Sequence, residues 1–259
     1  MADCVVIYND DGHCPGPSRS PHALPRAAQD VRGHHGLVVH RVMKGKSYKT
    51  LELFAGSRSF SKIAKEYGHE TYCTDIEAYE GIDQMCNIFD FDVEKMKSDY
   101  GTPDIIWASP PCTYFSVASI GYHWNKDNTP KTEQAIHGVA IVERTLEIIA
   151  ELNPVYYFIE NPRGKLRKLP VVEDLPYRKT VTYCSYGDSR MKPTDLWTNY
   201  DFNTRDMCFN GNKDCHHEPA PRGSKTGTQG LDNAYLRSMI PAELFEDIFG
   251  QIIEDENSA

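Results

Sequence analysis

From Tyr48 onward, short apolar runs typical of β-strands alternate with stretches of helical periodicity. This alternation predicts a mostly parallel, doubly wound α/β sheet, because parallel strands are usually joined by helical crossovers. The predicted strands cover residues 50–54, 70–74, 104–108, 155–159 and 179–184, and the predicted helices cover 60–67, 133–152 and 241–253. One face of the long helix is expected to be buried through Ile136, Val139, Ile141, Leu146, Ile148 and Ile149.

The bulk composition limits the class of protein. A chain of 259 residues suits one α/β domain with a small appendage. No apolar run approaches the length of a membrane span, which predicts a soluble protein without membrane partners. The eight cysteines lack the spacing of a disulfide framework and favour a reducing, cytoplasmic environment.

A cysteine preceded by two prolines follows the predicted strand 104–108. Pro110 and Pro111 fix their own φ angles and restrict the residue before each of them, so Cys112 is expected in an extended turn. Open α/β sheets bind ligands just beyond the carboxyl ends of their strands. Cys112 is therefore a candidate nucleophile, and the alternative is a small buried apolar side chain.

Three other strand ends carry polar or glycine-containing motifs. The loop 54–57, Phe-Ala-Gly-Ser, precedes a helix whose free N–H groups suit a carboxylate ligand. Asp75 ends the second strand, where nucleotide-binding folds place an acid for ribose hydroxyls, and Glu77 is the competing acid. Glu160, in the motif Glu-Asn-Pro, directly follows strand 155–159. A full Gly-x-Gly-x-x-Gly is absent, which disfavours a hydride cofactor.

The order and spacing of these motifs resemble the cytosine (carbon-5) DNA methyltransferase family, and residues 48–200 resemble its small phage-type members. The resemblance implies a Rossmann-like fold that depends on S-adenosylmethionine. It also implies double-stranded DNA as the partner, with the target cytosine flipped out of the duplex. Cys112 would add to ring carbon 6 of the base, and Glu160 would assist at ring nitrogen 3.

The same resemblance implies a cofactor site. Its expected residues are Phe54, Ala55, Gly56, Ser57, Asp75, Ile76, Asn87, Asp90 and Pro110. Ile76 would pack on the adenine ring, and either Asn87 or Asp90 would meet the adenine amino group. Arg58 and Ser59 stand where the family often has glycines.

Residues 187–192 resemble the family's Gln-x-Arg-x-Arg region, whose second arginine meets the carbonyl oxygen of the base. The glutamine is missing, so either Arg190 or Lys192 must serve. Arg190 is the preferred third catalytic candidate, and contact with phosphate or solvent is its alternative role.

The remaining segments predict a domain plan. Residues 1–42 are rich in Pro, His, Arg and Gly and are expected to form a disordered leader, the alternative being an arm that touches DNA. Residues 43–196 and 231–259 are expected to form the catalytic domain, and 197–230 a small irregular target-recognition region. The aromatic stretch 113–132 is expected to be a mobile loop that closes behind the flipped base.

Cys208, Cys215, His216 and His217 lie close together in the sequence and suggest zinc. There is no Cys-x-x-Cys pair, and adjacent histidines do not easily bind one ion together. We therefore assign no metal from the sequence, and a polar loop that contacts DNA is the alternative.

Two other functions remain open at this level. An amino-group DNA methyltransferase shares the Ser-Pro-Pro opening at residues 109–111, but it requires an aromatic residue where this chain has Cys112. A catalytically silent DNA-binding relative would be compatible with the glycine-poor cofactor loop, although Cys112 and Glu160 argue against it.

Overall fold

The computed structural model describes residues 46–219 and 234–258, so the predicted leader at 1–42 lies outside the described residues. Seven strands form one sheet in the order β3-β2-β1-β4-β5-β7-β6. The strands are β1 (Lys49–Leu53), β2 (Glu70–Asp75), β3 (Gln84–Met85), β4 (Ile105–Ala108), β5 (Tyr156–Pro162), β6 (Tyr177–Thr182) and β7 (Pro193–Thr198). Strands β1 to β5 pair in parallel, whereas β7 runs antiparallel to both β5 and β6.

Helices cover both faces of this sheet. They are α1 (Ser59–Glu66), α2 (Val93–Asp99), α3 (Ile120–His123), α4 (Glu133–Leu152), α5 (Ala234–Ser238) and α6 (Ala242–Ser258). Strand β4 is fully buried because its alternate side chains enter two separate cores. Ile106 lies in the core that includes α2 and α4, and Trp107 lies in the core that includes α1 and α6. The observed architecture confirms the predicted Rossmann-like α/β fold class.

The long helix has the predicted bounds, but one part of its predicted buried face is wrong. Thr132 caps the N-terminus by accepting a hydrogen bond from the backbone of Ala135, and Asn153 ends the helix in a left-handed conformation. Ile136 was expected in the core, yet it is 57% exposed. The helix buries Ala135 and Gly138 instead, which leaves Ile136 on the outer side.

Strand β7 and the two-residue strand β3 were not predicted. Because β7 extends to Thr198, the first two residues of the predicted region 197–230 belong to the catalytic sheet. Residues 199–219 contain no helix or strand, as expected, and residues 220–233 lie outside the described part of the chain. In the described ranges, no helix is both long and apolar enough to cross a membrane.

The strand order places the ligand crevice. From β1 the chain proceeds outward to β2 and β3 on one side of the sheet, and from β4 it proceeds to β5 on the other side. The topological switch point, where the direction of strand order reverses, therefore lies between β1 and β4. Loops that follow the carboxyl ends of two such strands diverge and leave a crevice between them. The loop 54–57 follows β1 and the Pro-Pro-Cys turn follows β4, so both motifs border this crevice.

Candidate active site

The loop after β1 has an unusual backbone. Phe54, Gly56 and Arg58 all adopt left-handed conformations, with φ of 58°, 46° and 55°. Such φ values cost about 1–2 kcal/mol for residues other than glycine, so the surrounding contacts must hold this loop. Asp75 supplies one of those contacts, because its carboxylate accepts hydrogen bonds from Gly56 N and Glu77 N, both at 2.9 Å. Asp75 thus links the loops after β1 and β2.

A buried carboxylate lies beneath this loop. Glu52 on β1 accepts hydrogen bonds from the backbone N–H groups of Phe60 and Ser61, in the first turn of α1. Donors at a helix N-terminus stabilise a negative charge. Burial is nevertheless the larger effect and raises the pKa of Glu52 to about 7.

A cavity of about 390 Å³ opens between the two loops. Its lining includes Phe54, Ala55, Gly56, Ser57, Asp75, Ile76, Pro110, Cys112, Glu160 and Lys192. A smaller cavity is lined by Phe54, Asp75, Ile76 and Asn87. The structure therefore brings most of the expected site residues together.

The two candidates for the adenine amino group differ in position. Asn87 lines the smaller cavity, whereas Asp90 lines neither of the two. Ile76 is 57% exposed and lines both cavities, so an apolar surface is available for a planar ring. The cavities thus combine an acid at the end of β2, a nearby amide and apolar walls. Such a combination of groups fits an adenosine-containing cofactor.

The turn that carries Cys112 is held from behind by β5. The side-chain amide of Asn161 donates a hydrogen bond of 2.9 Å to the carbonyl oxygen of Pro110. Beyond the cysteine, the backbone N–H groups of Phe115 and Ser116 both donate to the Cys112 carbonyl oxygen at 3.0 Å. The thiol is therefore presented on a turn fixed on both sides.

Glu160 lies beside this turn and is almost fully buried. The Tyr183 hydroxyl donates a hydrogen bond of 2.8 Å to Glu160 Oε1. Lys192 Nζ lies 3.8 Å from the same oxygen and 4.6 Å from the centre of the Tyr183 ring. Burial and the Glu160 carboxylate raise the pKa of Tyr183 well above its ordinary value, so its hydroxyl stays protonated as a donor.

The protonation of the candidate nucleophile depends on opposing neighbours. Burial raises the pKa of the Cys112 thiol, and the Glu160 carboxylate raises it further. Lys192 and Arg237 lower the same pKa through their positive charges. The net effect is a raised pKa, so Cys112 is mostly a thiol. The fraction of thiolate is small and depends on these neighbouring charges.

Arg190 is not brought into this cavity. Its guanidinium pairs with the Asp188 carboxylate and donates to the carbonyl oxygens of Leu236, Arg237 and Met239. Its donors are thereby engaged by Asp188 and by the backbone of residues 236–239, which they hold beside the turn before β7. Lys192, the alternative candidate from the sequence, lines the cavity instead and lies beside Glu160.

Sequence reasoning also missed the roles of Tyr183 and Asn161. Tyr183 follows β6, and no local pattern connects it with Glu160, which lies 23 residues earlier. Asn161 stood in a recognised motif, but its hydrogen bond to Pro110 spans 51 residues and depends on the pairing of β4 with β5.

The stretch 113–132, which the sequence predicts as a mobile aromatic loop, is partly packed into the core. It contains α3, and Phe115 and Trp124 are buried in the core. Trp124 Nε1 also donates a 2.7 Å hydrogen bond to the Tyr114 carbonyl oxygen. Val117 and Tyr122, at 60% and 66% exposed, remain available at the surface.

A mostly parallel seven-stranded sheet with an antiparallel final hairpin and a ligand crevice at its topological switch point is a Rossmann-like, doubly wound α/β fold. The chain is 30% identical over 161 residues to a "Probable DNA (cytosine-5)-methyltransferase" of Frog virus 3 (isolate Goorha), a match that covers 58% of this chain and 70% of the viral protein. The chain therefore belongs to the DNA (cytosine-5)-methyltransferase family, as the sequence motifs predicted. No family model matches the sequence.

Among solved structures, the chain is similar to a prophage-encoded protein from E. coli described as a "putative DNA modification methyltransferase". The two share 15% sequence identity with a TM-score of 0.45. The match covers 67% of this chain, and the chain spans about half the length of that protein, 53%.

Proposed function

We propose that this protein methylates carbon 5 of cytosine in DNA, with S-adenosylmethionine as the methyl donor. The observation that carries the proposal is the cavity shared by Cys112, Glu160 and the loop 54–57. A nucleophile, a buried carboxylate and a cofactor-type loop around one cavity are the parts that this reaction requires. The family membership given above supports DNA as the substrate.

Cys112 acts as the nucleophile in this proposal. Carbon 5 of cytosine is a poor nucleophile until a thiolate adds to ring carbon 6 and makes carbon 5 enamine-like. S-adenosylmethionine, when bound, supplies the electrophilic methyl group for that carbon. A water molecule then takes the carbon-5 proton, and the electrons of that C–H bond re-form the ring double bond and expel the Cys112 thiolate.

Glu160 assists the addition at ring nitrogen 3. Tyr183 and Lys192 both approach Oε1, which leaves Oε2 to face the base. In its protonated form the carboxyl group would donate a hydrogen bond to nitrogen 3, which stabilises the negative charge that develops there as the thiolate adds. Lys192 carries a positive charge next to Glu160 and is our candidate for contact with the carbonyl oxygen of the base, in place of Arg190.

The cofactor residues follow from the same cavities. Asp75 would accept hydrogen bonds from the ribose, and Ile76 would pack on the adenine ring. Asn87 is favoured over Asp90 for the adenine amino group because only Asn87 lines the smaller cavity. Phe54 to Ser57 and Pro110 line the same cavity as Cys112 and would contact the cofactor.

Covalent trapping tests the proposal. Fluorine at carbon 5 cannot leave as the proton does, so DNA of mixed sequence that contains 5-fluorocytosine should form an adduct stable to denaturation when S-adenosylmethionine is present. We expect that adduct with the wild-type protein and with the control Cys73→Ser, whose side chain is buried outside the cavity. Cys112→Ser should form none. Mass spectrometry of nucleosides should show 5-methylcytosine in ordinary DNA.

Two results would refute the proposal. One is turnover by Cys112→Ser at the wild-type rate, which would exclude the covalent route. The other is methylation on the exocyclic amino group of cytosine or adenine, which would place the protein's activity in a different class.

A further inference from the structure

Three cysteines and one histidine converge at a second place, outside the proposed active site. They are Cys184, Cys208, Cys215 and His217, and one ligand atom from each lies within 4.8 Å of all the others. Cys184 lies in the short helical turn 183–186 after β6, whereas the other three come from the irregular segment after β7. All three thiols are free. The sequence suggested only part of this set, because Cys184 lies 24 residues before Cys208.

The spacing of these atoms suits a tetrahedral metal ion. Cys208 Sγ lies 3.6 Å from His217 Nδ1. With metal–sulfur bonds of about 2.3 Å and metal–nitrogen bonds of about 2.0–2.1 Å, a tetrahedral zinc ion separates its sulfur and nitrogen ligands by about 3.6 Å. The observed separation fits a hydrogen bond between thiol and imidazole, and it also equals the edge of such a tetrahedron.

His217 provides an independent indication. Its side chain is only 4% exposed, and Nδ1 faces the thiols, with Cys208 Sγ as its partner. Neutral imidazole is a common zinc ligand, so a buried ring that turns one nitrogen toward three thiols is placed to complete a metal site. The adjacent His216 is exposed and bonds the Asp188 carbonyl oxygen through Nε2 at 3.0 Å. Of the two adjacent histidines, His217 is therefore the candidate ligand.

The surroundings of Cys208 also suit a thiolate ligand. The side-chain amide of Asn212 donates to Cys208 Sγ at 3.4 Å. The Cys208 backbone N–H donates to Thr182 Oγ1 at 2.9 Å, which fixes the residue against the end of β6. Gly211, at φ 84°, allows the tight turn that brings Cys215 back toward Cys208. Hydrogen bonds to ligand sulfurs orient the ligands and moderate their charge.

We propose that Cys184, Cys208, Cys215 and His217 bind one structural zinc ion. Three thiols and one imidazole fill all four positions of a tetrahedron, so the site is closed and has no position for a substrate. Binding releases three thiol protons to solvent and leaves the imidazole neutral. Softer thiolate ligands with an imidazole select zinc over magnesium or calcium.

The ion would fasten the segment after β7 to the catalytic domain. Cys184 directly follows Tyr183, the residue that donates to Glu160. On the other side, the Glu218 backbone N–H donates to the Ser189 carbonyl oxygen at 2.8 Å, so the segment crosses the stretch 187–192. The zinc site therefore supports two residues of the active site, Tyr183 and Lys192, without contacting the substrate.

Metal analysis of the full-length protein, purified under reducing conditions, tests the proposal. We expect about one zinc per chain by elemental analysis, and thiolate-to-cobalt charge-transfer absorption with a tetrahedral d–d band after cobalt(II) substitution. In Cys208→Ser and His217→Ala, bound zinc should fall below about one fifth of an equivalent. The matched controls His216→Ala and Cys86→Ser should retain the full equivalent.

Stability gives a second measurement that does not depend on activity. Removal of zinc from the wild-type protein by a chelator should lower Tm by roughly 5 °C or more, and zinc should restore it. A wild-type protein that binds neither zinc nor cobalt after reduction would overturn the proposal, even if the variants fail to fold. Loss of zinc in His216→Ala but not in His217→Ala would overturn the ligand assignment, as would a disulfide among the three cysteines. None of these results bears on the adduct formed by Cys112.

Discussion

At the scale of single residues, the reactivity of Cys112 is set by charges of opposite sign. Lys192 and Glu160 both line its cavity, and they shift the pKa of the thiol in opposite directions. A nucleophile that is mostly protonated in the free protein is protected from other electrophiles and oxidants. The same two residues are proposed to bind the base, so an arriving cytosine would change the environment of the thiol it is about to accept.

These opposite effects predict opposite responses to substitution. Lys192→Met removes a positive charge and should raise the pKa of Cys112, whereas Glu160→Gln removes a negative charge and should lower it. At a pH below the pKa of the thiol, a change of about 0.5 to 1 in that pKa changes the thiolate fraction roughly three- to tenfold. At constant pH near 8, alkylation of Cys112 by iodoacetamide should therefore slow in Lys192→Met and accelerate in Glu160→Gln.

Methyl transfer separates this electrostatic effect from catalysis. Both variants should methylate DNA more slowly, Glu160→Gln by roughly two to four orders of magnitude because the group that assists the base is lost. Peptide-resolved mass spectrometry gives the alkylation rate of Cys112, with Cys86 of the same chain as internal reference. Alkylation that changes in the same direction in both variants would contradict the assigned charges.

At the scale of secondary structure elements, local signals account for what the sequence could predict. The bounds of α4 were correct because Thr132 provides an N-cap and Asn153 a left-handed end, both encoded within one turn of the helix. Strand β3 consists of only Gln84 and Met85, which is too short for any periodicity. Strand β7 was missed because it begins at a proline and belongs to an antiparallel hairpin at the sheet edge.

The same distinction between local and long-range signals separates the site residues that the sequence could predict from those it could not. Cys112 and Glu160 stand in short contiguous motifs at strand ends, so the sequence was enough to place them at one edge of a parallel sheet. The positions of Tyr183 and Lys192 follow from the antiparallel pairing of β7 with β5 and β6, which sequence spacing does not encode. Cys184 joins its cluster for the same reason.

The close packing of Gly164, just after β5, against the chain that follows Cys112 gives a prediction about stability. A Cβ added at Gly164 would lie 2.3 Å from the Phe115 carbonyl oxygen, the atom that accepts a 2.7 Å hydrogen bond from Lys165 N. Gly164→Ala must therefore push the chain after Cys112 away from β5, at a cost of about 1–3 kcal/mol. Urea unfolding should show that loss, and methyl transfer should fall as well because the Cys112 turn moves.

Gly250→Ala is the matched control for Gly164→Ala. Gly250 lies inside α6, and a Cβ there meets nothing within 4 Å. Alanine should stabilise this helix by up to about 1 kcal/mol, since glycine is a poor helix former. If both variants behave alike in unfolding, close packing at Gly164 is not the determining factor.

At the scale of the whole molecule, the last helix is joined to the first strand. Tyr48, immediately before β1, donates a hydrogen bond to Glu256 of α6. His69 lies between them, with its ring against Tyr48 at 5.2 Å and Phe249 at 4.9 Å, and its Nδ1 accepts from Tyr48 N at 3.4 Å. Burial lowers the pKa of His69 to about 4, so this junction contains a neutral imidazole in the folded protein.

His69 and Glu52 make stability depend on pH in opposite directions. The unfolded chain protonates His69 from pH 6.5 downward, whereas the folded protein does so only near pH 4, so this residue's contribution to stability is lost as pH falls through that window. Glu52 has a raised folded pKa of about 7 against 4.5, so its contribution is present below pH 4.5 and is lost as pH rises toward 7. Between about pH 4.5 and 6.5 the two effects offset each other in the wild-type protein.

Single variants should separate the two opposing effects of pH on stability that offset each other in the wild-type protein. His69→Asn keeps an acceptor for Tyr48 N but cannot be protonated in this range, so on acidification from pH 7 to 4.5 it should gain stability relative to wild type, by about 3 kcal/mol. Glu52→Gln should lose a similar amount over the same range, and the double variant should run parallel to wild type because both titrations are gone. Urea unfolding at half-unit pH intervals measures these differences, and terms shared by all four proteins cancel. A His69→Asn curve parallel to wild type would show that His69 is protonated in the folded protein as readily as in the unfolded chain, and that the junction of α6 with β1 does not exclude its charge.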